Sequence, residues 1–459
     1  MKKELFDSQA LKKLIIPLVF EQFLAVSIGF VDTFMVSTVG EAAVSGVALV
    51  DNINTLLIQV LSALATGGAV VCSQYIGLKT SHEQRSDLEK AREAGEQARR
   101  SAGQILLIMG SISFLLLCIA LCFNGQILSF VFGSIEADVR SNARIYFYIT
   151  ALSYPFLGLY NAGAALFRAI GNSKISMKTS FVMNIFNVAG NAILIFGFHM
   201  GAAGVALATL ISRVFACVFI LSILFSTDSV IRLQSIRDLA PEKRMIGKIL
   251  GIGLPSGLEN GMFQIGKLSV SSLTSTFGTA AIAANSVAGN ITSCSNIPGN
   301  AIGMAMITVI GQSVGSGDSE EAKRYGKKLL GIAYVGIWTT NALMWIFAGE
   351  LVGIFHLSQE ATTLAVNLLH MFTLVAIFLW PLSFSLPNAL RAAGDAKFTM
   401  TVSILSMWSF RVGSSYFLGK VMGLGLYGVW MGMFIDWFFR SAAFLIRFLR
   451  GKWAEKRLV

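Results

Sequence analysis

Residues 11–37 read LKKLIIPLVFEQFLAVSIGFVDTFMVS. A helix needs about 20 largely apolar residues to cross the hydrocarbon core of a bilayer, and this run provides them. Deep within it lie a proline, Pro17, and two acidic residues, Glu21 and Asp32. The run therefore predicts a first membrane-spanning helix that carries two carboxyl groups inside the bilayer.

Apolar runs of this kind recur along the whole chain, with polar breaks between them. Several exceed 28 residues, so we expect tilted helices or helices that project beyond the membrane. The fold class expected is an all-α polytopic membrane protein with twelve transmembrane helices. They are placed at 11–37, 45–77, 102–123, 143–169, 174–198, 202–226, 246–275, 281–315, 327–349, 362–390, 398–419 and 424–449.

The composition agrees with a membrane protein. Of the 459 residues, 54% are hydrophobic and only 13% are charged. Ordinary soluble domains carry about 25% charged residues, so a soluble protein is excluded. The net charge of +11 does not indicate a nucleic-acid partner, because the basic residues lie between apolar runs and form no patch beside stacking aromatic residues.

The positions of Lys and Arg predict the orientation. The connections on the side that bears both termini carry most of them, including six between Lys79 and Arg100. The connections on the opposite side carry only Arg140, Arg144 and Lys420. Basic residues are enriched in cytoplasmic loops, so we expect both termini in the cytoplasm and the protein in the plasma membrane.

The two halves of the chain repeat one another. A shift of 238 residues aligns Pro17 with Pro255 and Glu21 with Glu259. Six helices in each half give both halves the same orientation, which predicts two six-helix bundles related by a pseudo-two-fold axis along the membrane normal. The predicted N-terminal lobe is 1–226, the inter-lobe linker 227–245 and the C-terminal lobe 246–459.

A candidate cation site lies in the first half of the chain. Asn187 and Asn191 are one helical turn apart, and with Asp32 they offer two amide oxygens and a carboxylate, ligands that suit Na⁺. A buried carboxylate can also exchange a proton for Na⁺. The alternative is that these polar side chains only join neighbouring helices through hydrogen bonds.

The repeat provides an internal comparison for this site. Asp32, Asn187, Asn191 and Thr209 correspond in the second half to Val270, Phe410, Ser414 and Met433. Polar groups that serve only to join helices would tend to occur in both halves. The asymmetry therefore favours a function for the set in the first half.

Glu21 and Glu259 behave differently, because both halves have a glutamate at this position, four residues after a proline. If both face a cleft, they would attract a cationic cargo. The alternative is an ion pair with a basic residue of another span, for instance Arg213, Arg411 or Lys267. Asp436 and Arg440, one turn apart, are expected to neutralise each other.

The spans contain no nucleotide-binding or catalytic motif. The stretch Gly77-Leu-Lys-Thr80 lacks the upstream glycine of a phosphate-binding loop, and the four histidines are scattered. No enzyme activity and no cofactor are therefore expected. Active transport by this chain would depend on an ion gradient.

Several motifs resemble the multidrug and toxic compound extrusion (MATE) family of secondary transporters. They are Pro17-Leu-Val-Phe-Glu-Gln22, Val31-Asp-Thr-Phe-Met35, Ser73-Gln-Tyr-Ile-Gly77, Arg168-Ala-Ile-Gly-Asn172, Gly253-Leu-Pro255 with Glu259, and Arg391-Ala-Ala-Gly-Asp395. The bacterial NorM/DinF-like branch is the part of the family that the chain resembles. The resemblance implies export of lipophilic cations, driven by Na⁺ or H⁺, through two six-helix bundles.

The resemblance also assigns roles to individual residues. Asp32 matches the acidic residue of a cation site in the first lobe, with Asn187, Asn191 and Thr209 as companions, and Glu259 matches an acidic residue linked to coupling and cargo. NorM-like members usually carry a further acidic residue in the tenth helix. Here Trp380 lies near that place and no Asp or Glu occurs between 361 and 394. The site in the N-terminal lobe is therefore the better candidate for coupling, and whether the C-terminal lobe holds a second cation site stays open.

The function expected is a multidrug efflux antiporter that exchanges lipophilic or cationic compounds for Na⁺ or H⁺ by alternating access, acting as a monomer in the lipid bilayer. The main alternative is a flippase for a lipid or a lipid-linked oligosaccharide. Such a protein would be expected to show a cleft rich in Arg, whereas the in-span charges here have both signs. A membrane enzyme and a symmetric channel are further alternatives.

Overall fold

The computed structural model describes residues 4–133, 136–226 and 229–459. Within these residues all regular structure is helical, and no strand occurs. The all-α fold class predicted from the sequence is confirmed.

The long helices match the twelve apolar runs in number and order. We call them α1 to α12. They are α1 (Ser8–Ser37), α2 (Glu41–Gln84), α3 (Leu88–Cys122), α4 (Ala137–Leu152 and Tyr154–Ala169), α5 (Ser173–Asn191), α6 (Gly201–Ser226), α7 (Lys243–Ser275), α8 (Thr279–Ser295 and Ile297–Gly315), α9 (Ser319–Ile346), α10 (Gln359–Trp380 and Leu386–Ala392), α11 (Ala396–Leu405 and Gly413–Tyr416) and α12 (Gly425–Leu449).

Shorter helices lie between and within these twelve. Asn124–Phe132 follows α3, and Ala348–Gly353 follows α9. Wide π-helical turns continue α5, interrupt α10, and interrupt and end α11. They comprise Ala192–Gly197, Pro381–Ser385, Ser406–Val412 and Phe417–Val421.

Among the described residues, eight helical stretches are long and apolar enough to cross a membrane by length and composition alone. They belong to α2, α3, α5, α6, α8, α9, α10 and α12. Many of their large apolar side chains are exposed on the protein, Phe114 and Phe378 among them. A surface of this kind suits contact with lipid.

The chain forms two compact units. The N-terminal unit is Asp7–Gly257, and the C-terminal unit is Leu258–Val459 together with the N-terminal residues up to Phe6. The division therefore falls inside α7. The lobe and linker boundaries predicted from the sequence stay predictions.

Small residues allow close packing inside the N-terminal unit. A Cβ atom added to Gly67 on α2 would overlap the backbone of Gly253 on α7. A Cβ atom added to Gly190 on α5 would lie 3.0 Å from the Cβ of Ala208 on α6. Each glycine therefore lets two helices approach at a point where no larger side chain fits without a shift.

The chain ends of the C-terminal unit are held by polar contacts. The hydroxyl of Tyr325 on α9 accepts a hydrogen bond from the Phe6 amide at 2.9 Å and donates one to the Phe6 carbonyl at 2.8 Å. Asp395, between α10 and α11, pairs with Arg447 at 2.7 Å and with Lys456 at 2.6 Å. Burial opposes the charge of Asp395, but these two cations outweigh it and hold its pKa below the usual value.

Candidate functional site

One hydrogen-bonded chain of side chains joins three helices of the N-terminal unit. The amide nitrogen of Asn191 donates to Oδ1 of Asp32 at 2.7 Å and to Oδ1 of Asn187 at 3.3 Å. The amide nitrogen of Asn187 in turn donates to the hydroxyl of Thr209 at 3.4 Å. The structure thus brings together all four residues that the sequence predicts for the cation site. We call them the polar chain.

The local structure explains how the polar chain is assembled. Asn187 and Asn191 lie one turn apart on the same face of α5, as their spacing predicts. The π-helical turn 192–197 begins directly after Asn191, and such turns are frequent at functional sites. Gly190 allows α6 to approach closely, which places Thr209 beside Asn187.

One oxygen of the polar chain lacks a hydrogen-bond partner. Asn191 is fully buried, and its Oδ1 atom finds no donor among the described residues. Buried polar atoms are nearly always paired in proteins, so an unpaired buried oxygen calls for an explanation. An oxygen that faces no donor is free to accept a cation.

A second acidic group, Asp51 on α2, lies within electrostatic range of Asp32. Its Oδ1 atom accepts hydrogen bonds from the Tyr146 hydroxyl at 3.0 Å and from the Asn54 amide at 3.3 Å. Asn54 in turn accepts a hydrogen bond from the buried Tyr154 hydroxyl at 2.8 Å. Sequence reasoning missed these two tyrosines, because a tyrosine in an apolar run gives no signal in the hydropathy pattern.

Arg213 on α6 interacts electrostatically with both Asp32 and Asp51. It donates a hydrogen bond to the Ser153 hydroxyl at 2.7 Å, where α4 is broken into two segments. Two carboxylates against one guanidinium leave an excess of one negative charge here. That charge balance favours a monovalent cation.

Only carboxylate, amide and hydroxyl oxygens are available for such a cation. No group of three or more His, Cys, Asp or Glu side chains that could hold a metal occurs in the part of the chain that the structure describes. These oxygens are ligands that suit hard cations, while metals such as Zn²⁺ and Cu²⁺ favour imidazole or thiolate ligands.

Glu21 is held by partners within the N-terminal unit. One carboxylate oxygen pairs with Arg168 at 2.7 Å, and the other accepts a hydrogen bond from the Ser176 hydroxyl at 2.6 Å. Glu21 is 6% exposed. The negative charge of Glu21 is therefore compensated by Arg168 on α4 and stabilised by the Ser176 hydroxyl on α5.

Glu259 has an equivalent set of partners within the C-terminal unit. Its Oε1 atom pairs with Arg391 at 2.6 Å and accepts a hydrogen bond from the Ser403 hydroxyl at 2.6 Å. The basic partners suggested by the sequence, Arg213, Arg411 and Lys267, are thus not the ones that form these ion pairs. A role of Glu21 and Glu259 in cargo binding stays a prediction.

A signal for the true partners was present in the sequence. Arg168 and Arg391 begin the two copies of the repeated motif Arg-Ala-x-Gly-Asn/Asp, and each pairs with the repeated glutamate of its own half. The repeated glutamate and the repeated arginine therefore form the same ion pair in each half. The pair could have been predicted by asking which oppositely charged residues occur at equivalent positions in both halves.

Asp436 and Arg440 lie within electrostatic range of each other, as their expected neutralisation requires. No ion pair within 4 Å joins them among the described residues, and Asp436 instead accepts a hydrogen bond from the Ser406 hydroxyl at 2.6 Å. Arg440 donates to the Ser383 carbonyl at 3.3 Å and lies over the ring of Phe384. One turn of separation on α12 allows the two side chains to point to different neighbours.

Comparison with known proteins identifies the family. The model of the MatE family matches residues 17–193 and 255–417, which is most of the chain. The chain belongs to the MatE family. The resemblance found in its sequence motifs is thereby confirmed.

Relatives cover this MatE protein from end to end. An uncharacterized transporter of Bacillus subtilis, YisQ, is 29% identical, and the match covers 99% of each chain. A probable multidrug resistance protein of Thermotoga maritima, NorM, is 26% identical over 97% of this chain and 93% of its own. A solved structure of a multidrug resistance MATE family transporter, in an outward-facing conformation, superposes with a TM-score of 0.87 at 21% identity, covering 98% of this chain and 96% of that one.

These findings settle the class of the MatE protein. It is a membrane-embedded transporter of the multidrug type and not an enzyme, because members of this family are transporters. The twelve-helix arrangement fits the MATE fold. The comparisons do not favour the flippase alternative.

Proposed function

We propose that the chain is a secondary active antiporter that exports lipophilic cations in exchange for Na⁺ or H⁺. The observation that carries the proposal is the contact between Asp32 and Asn191 at 2.7 Å within the polar chain, beside a buried amide oxygen with no donor in the part of the chain that the structure describes. A carboxylate in this setting is a group that a proton or Na⁺ can neutralise.

The proposed cycle uses that neutralisation. Without a bound cation, the Asp32 carboxylate is compensated only in part, because Asp32 and Asp51 both interact with the same guanidinium group, that of Arg213. A proton makes the Asp32 carboxyl group neutral, and a bound Na⁺ compensates its charge while sharing its oxygens. In both cases the charge-assisted hydrogen bond from Asn191 is weakened. Weakening of this contact between α1 and α5 favours a rearrangement of these helices, and this rearrangement releases the cargo.

Further parts of the proposal concern the setting of the protein. We place it in the plasma membrane as a monomer with both termini in the cytoplasm, following the distribution of Lys and Arg in the connections. No cofactor is assigned, and the coupling cation is a substrate. A fluorescent protein fused to the C-terminus should fluoresce in the cytoplasm, and loss of its signal to an external protease would contradict this orientation.

The test of coupling is export of a fluorescent cation from proteoliposomes under separately imposed Na⁺ and proton gradients. The wild type should export ethidium faster under one of the two gradients than under neither. Asp32→Asn should bring the rate to that of liposomes without protein, because the amide can carry neither the charge nor the proton.

The matched control is Asp138→Asn, the same chemical change at an exposed position where α4 begins. It should export as the wild type does. Export by Asp32→Asn at the wild-type rate would contradict the assignment of Asp32, and export that neither gradient alters would contradict secondary transport.

A further inference from the structure

Three basic side chains of the C-terminal unit form a cluster that the proposed cation exchange does not use. Lys267 is on α7, Arg411 is in the π-helical turn 406–412 of α11, and Arg440 is on α12. Arg411 is 9% exposed and Arg440 is 3% exposed, so both guanidinium groups are buried. We call these three residues the basic cluster.

The nearby carboxylates do not balance the basic cluster. Lys267 interacts electrostatically with Arg411, and Arg411 interacts with Asp436 and Arg440. Arg440 also interacts with Asp436, Glu259 and Arg391. Glu259 is already paired with Arg391 at 2.6 Å. Within this set of interactions, Asp436 is then the one carboxylate left to compensate the three members of the basic cluster. An excess of two positive charges results.

The two guanidinium groups also have N–H donors that are not used in hydrogen bonds within the described residues. The Nε and Nη1 atoms of Arg440 and the Nε atom of Arg411 are buried and have no hydrogen-bond acceptor among the described residues. Buried charges are paired in stable proteins, since an unpaired one is costly. The fork of a guanidinium group matches the oxygens of a carboxylate or a phosphate.

Aromatic rings surround these donors. The centre of the Phe263 ring lies 5.4 Å from the central guanidinium carbon of Arg411 and 5.6 Å from that of Arg440. The Phe384 ring lies 4.7 Å from Arg440. Such rings attract the positive charge but offer no acceptor for the N–H groups. They also provide an apolar wall for the body of an organic ligand.

The backbone is shaped to hold Arg411 at this place. The π-helical turn departs from regular α-helix at Ser406–Val412, and a Cβ atom added to Gly266 on α7 would overlap the side chain of Met407 in that turn. Gly266 thus lets α7 approach the turn, while the neighbouring Lys267 remains exposed. Lys267 is thus the exposed member of the cluster.

We propose that the basic cluster binds the oxyanion group, a carboxylate or a phosphate, of an amphiphilic organic molecule. Arg411 and Arg440 supply the donors, Lys267 adds charge at the accessible side, and Phe263 contacts the apolar part. The site is distinct from the polar chain of the N-terminal unit, and the proposal holds whichever cation drives transport.

The test uses the purified full-length protein in a non-ionic detergent, titrated with phenyl phosphate in a calorimeter. The wild type should bind it saturably and more tightly than inorganic phosphate, which lacks the ring. Arg411→Gln and Lys267→Gln should each weaken binding about tenfold or more, since each removes a charged partner of the oxyanion. Lys267 is exposed, so its variant keeps the proposal testable if Arg411→Gln fails to fold.

Lys420→Gln is the matched control. Lys420 is an exposed lysine of the same unit and lies in the turn that ends α11, nine residues after Arg411. The affinity of this variant for phenyl phosphate should stay within twofold of the wild type. Equal losses in Lys267→Gln and Lys420→Gln would show a general charge effect and overturn the proposal. So would the absence of saturable binding by the wild type.

A last comparison distinguishes the two sources of the oxyanion. The titration is repeated in nanodiscs of phosphatidylcholine and of phosphatidylglycerol. Equal affinities in both lipids support a dissolved organic anion as the occupant. If the wild type binds phenyl phosphate more weakly in phosphatidylglycerol than in phosphatidylcholine, and Lys267→Gln shows no such difference, an anionic lipid headgroup is supported as the occupant of the same site.

Discussion

At the scale of single residues, the two glutamates of the repeat are held in the same way. Glu21 pairs with Arg168 and Glu259 pairs with Arg391, and both carboxylates are buried. A buried ion pair contributes little net stability when compared with an apolar pair, but removal of one partner leaves a buried charge alone. A substitution that removes only one partner of either ion pair should therefore lower the stability of the protein.

Arg391→Gln should lower the free energy of unfolding by about 3–5 kcal/mol, because Glu259 would be left buried without its cation. The additional substitution Glu259→Gln should restore part of the loss, since it removes the unpaired charge. Thermal unfolding in detergent, followed by the fluorescence of the tryptophans, measures both variants.

The control for this prediction is Arg92→Gln. Arg92 pairs with Glu96 at 3.5 Å on an exposed face, with its own side chain 85% exposed. Exposed pairs contribute about 0–1 kcal/mol, so the melting temperature should hardly move. A loss in Arg92→Gln as large as that in Arg391→Gln would show that burial of the pair is not the cause.

Residue patterns predicted the polar chain well and the ion pairs poorly. Spacing alone places Asn187 and Asn191 on one face, and the acidic residue in the first span indicates a partner. The partner of Glu259 lies 132 residues away on another helix. Such a pairing depends on tertiary packing, which the spacing along a single helix does not contain.

At the scale of helices, α2 and α7 meet without intervening side chains. A Cβ atom on Gly67 would overlap the backbone of Gly253, and a Cβ atom on Gly253 would lie 3.0 Å from the Leu64 carbonyl oxygen. Backbone cannot move aside as a flexible side chain can. The contact therefore fixes how closely the first part of α7 packs within the N-terminal unit.

Gly67→Ala should destabilise the protein by about 1–3 kcal/mol through overpacking at this contact. Gly251→Ala is the control on α7, since no atom lies within 4 Å of the Cβ position there. Its melting temperature should stay the same or rise, because alanine favours helix over glycine. The idea is wrong if Gly67→Ala melts no lower than Gly251→Ala.

Hydropathy located the helices but could not show how they are broken. The run 143–169 is divided at Ser153 and the run 281–315 at Asn296, although both are continuously apolar enough to pass as one span. The π-helical turns in α10 and α11 are equally invisible to an apolar pattern. Arg411 lies in one of them.

At the scale of the whole molecule, the repeat carries two different charge balances. The N-terminal unit combines Asp32 and Asp51 with Arg213. In the C-terminal unit Arg411 and Arg440 interact with Asp436, and Lys267 interacts with Arg411. Asp32 corresponds in the repeat to Val270. The proposed cation site and the proposed anion site thus lie in different units.

The membrane potential limits what an exchange at a single carboxylate can achieve. One charge that crosses about 150 mV yields roughly 3.5 kcal/mol. This is enough to sustain a gradient of a few hundredfold for a neutral cargo, since about 1.4 kcal/mol corresponds to a factor of ten. A monovalent cation exchanged one for one gains nothing from the potential and depends on the chemical gradient of the coupling ion.

The most direct measurement of the central claim is the movement of the coupling cation itself. Proteoliposomes are loaded with ethidium, and entry of radioactive Na⁺ or of protons is followed as the dye leaves. The wild type should take up one of these cations in step with ethidium loss, and Asp32→Asn should take up neither above the background of empty liposomes. Cation entry in Asp32→Asn at the wild-type rate would contradict a coupling site at the polar chain.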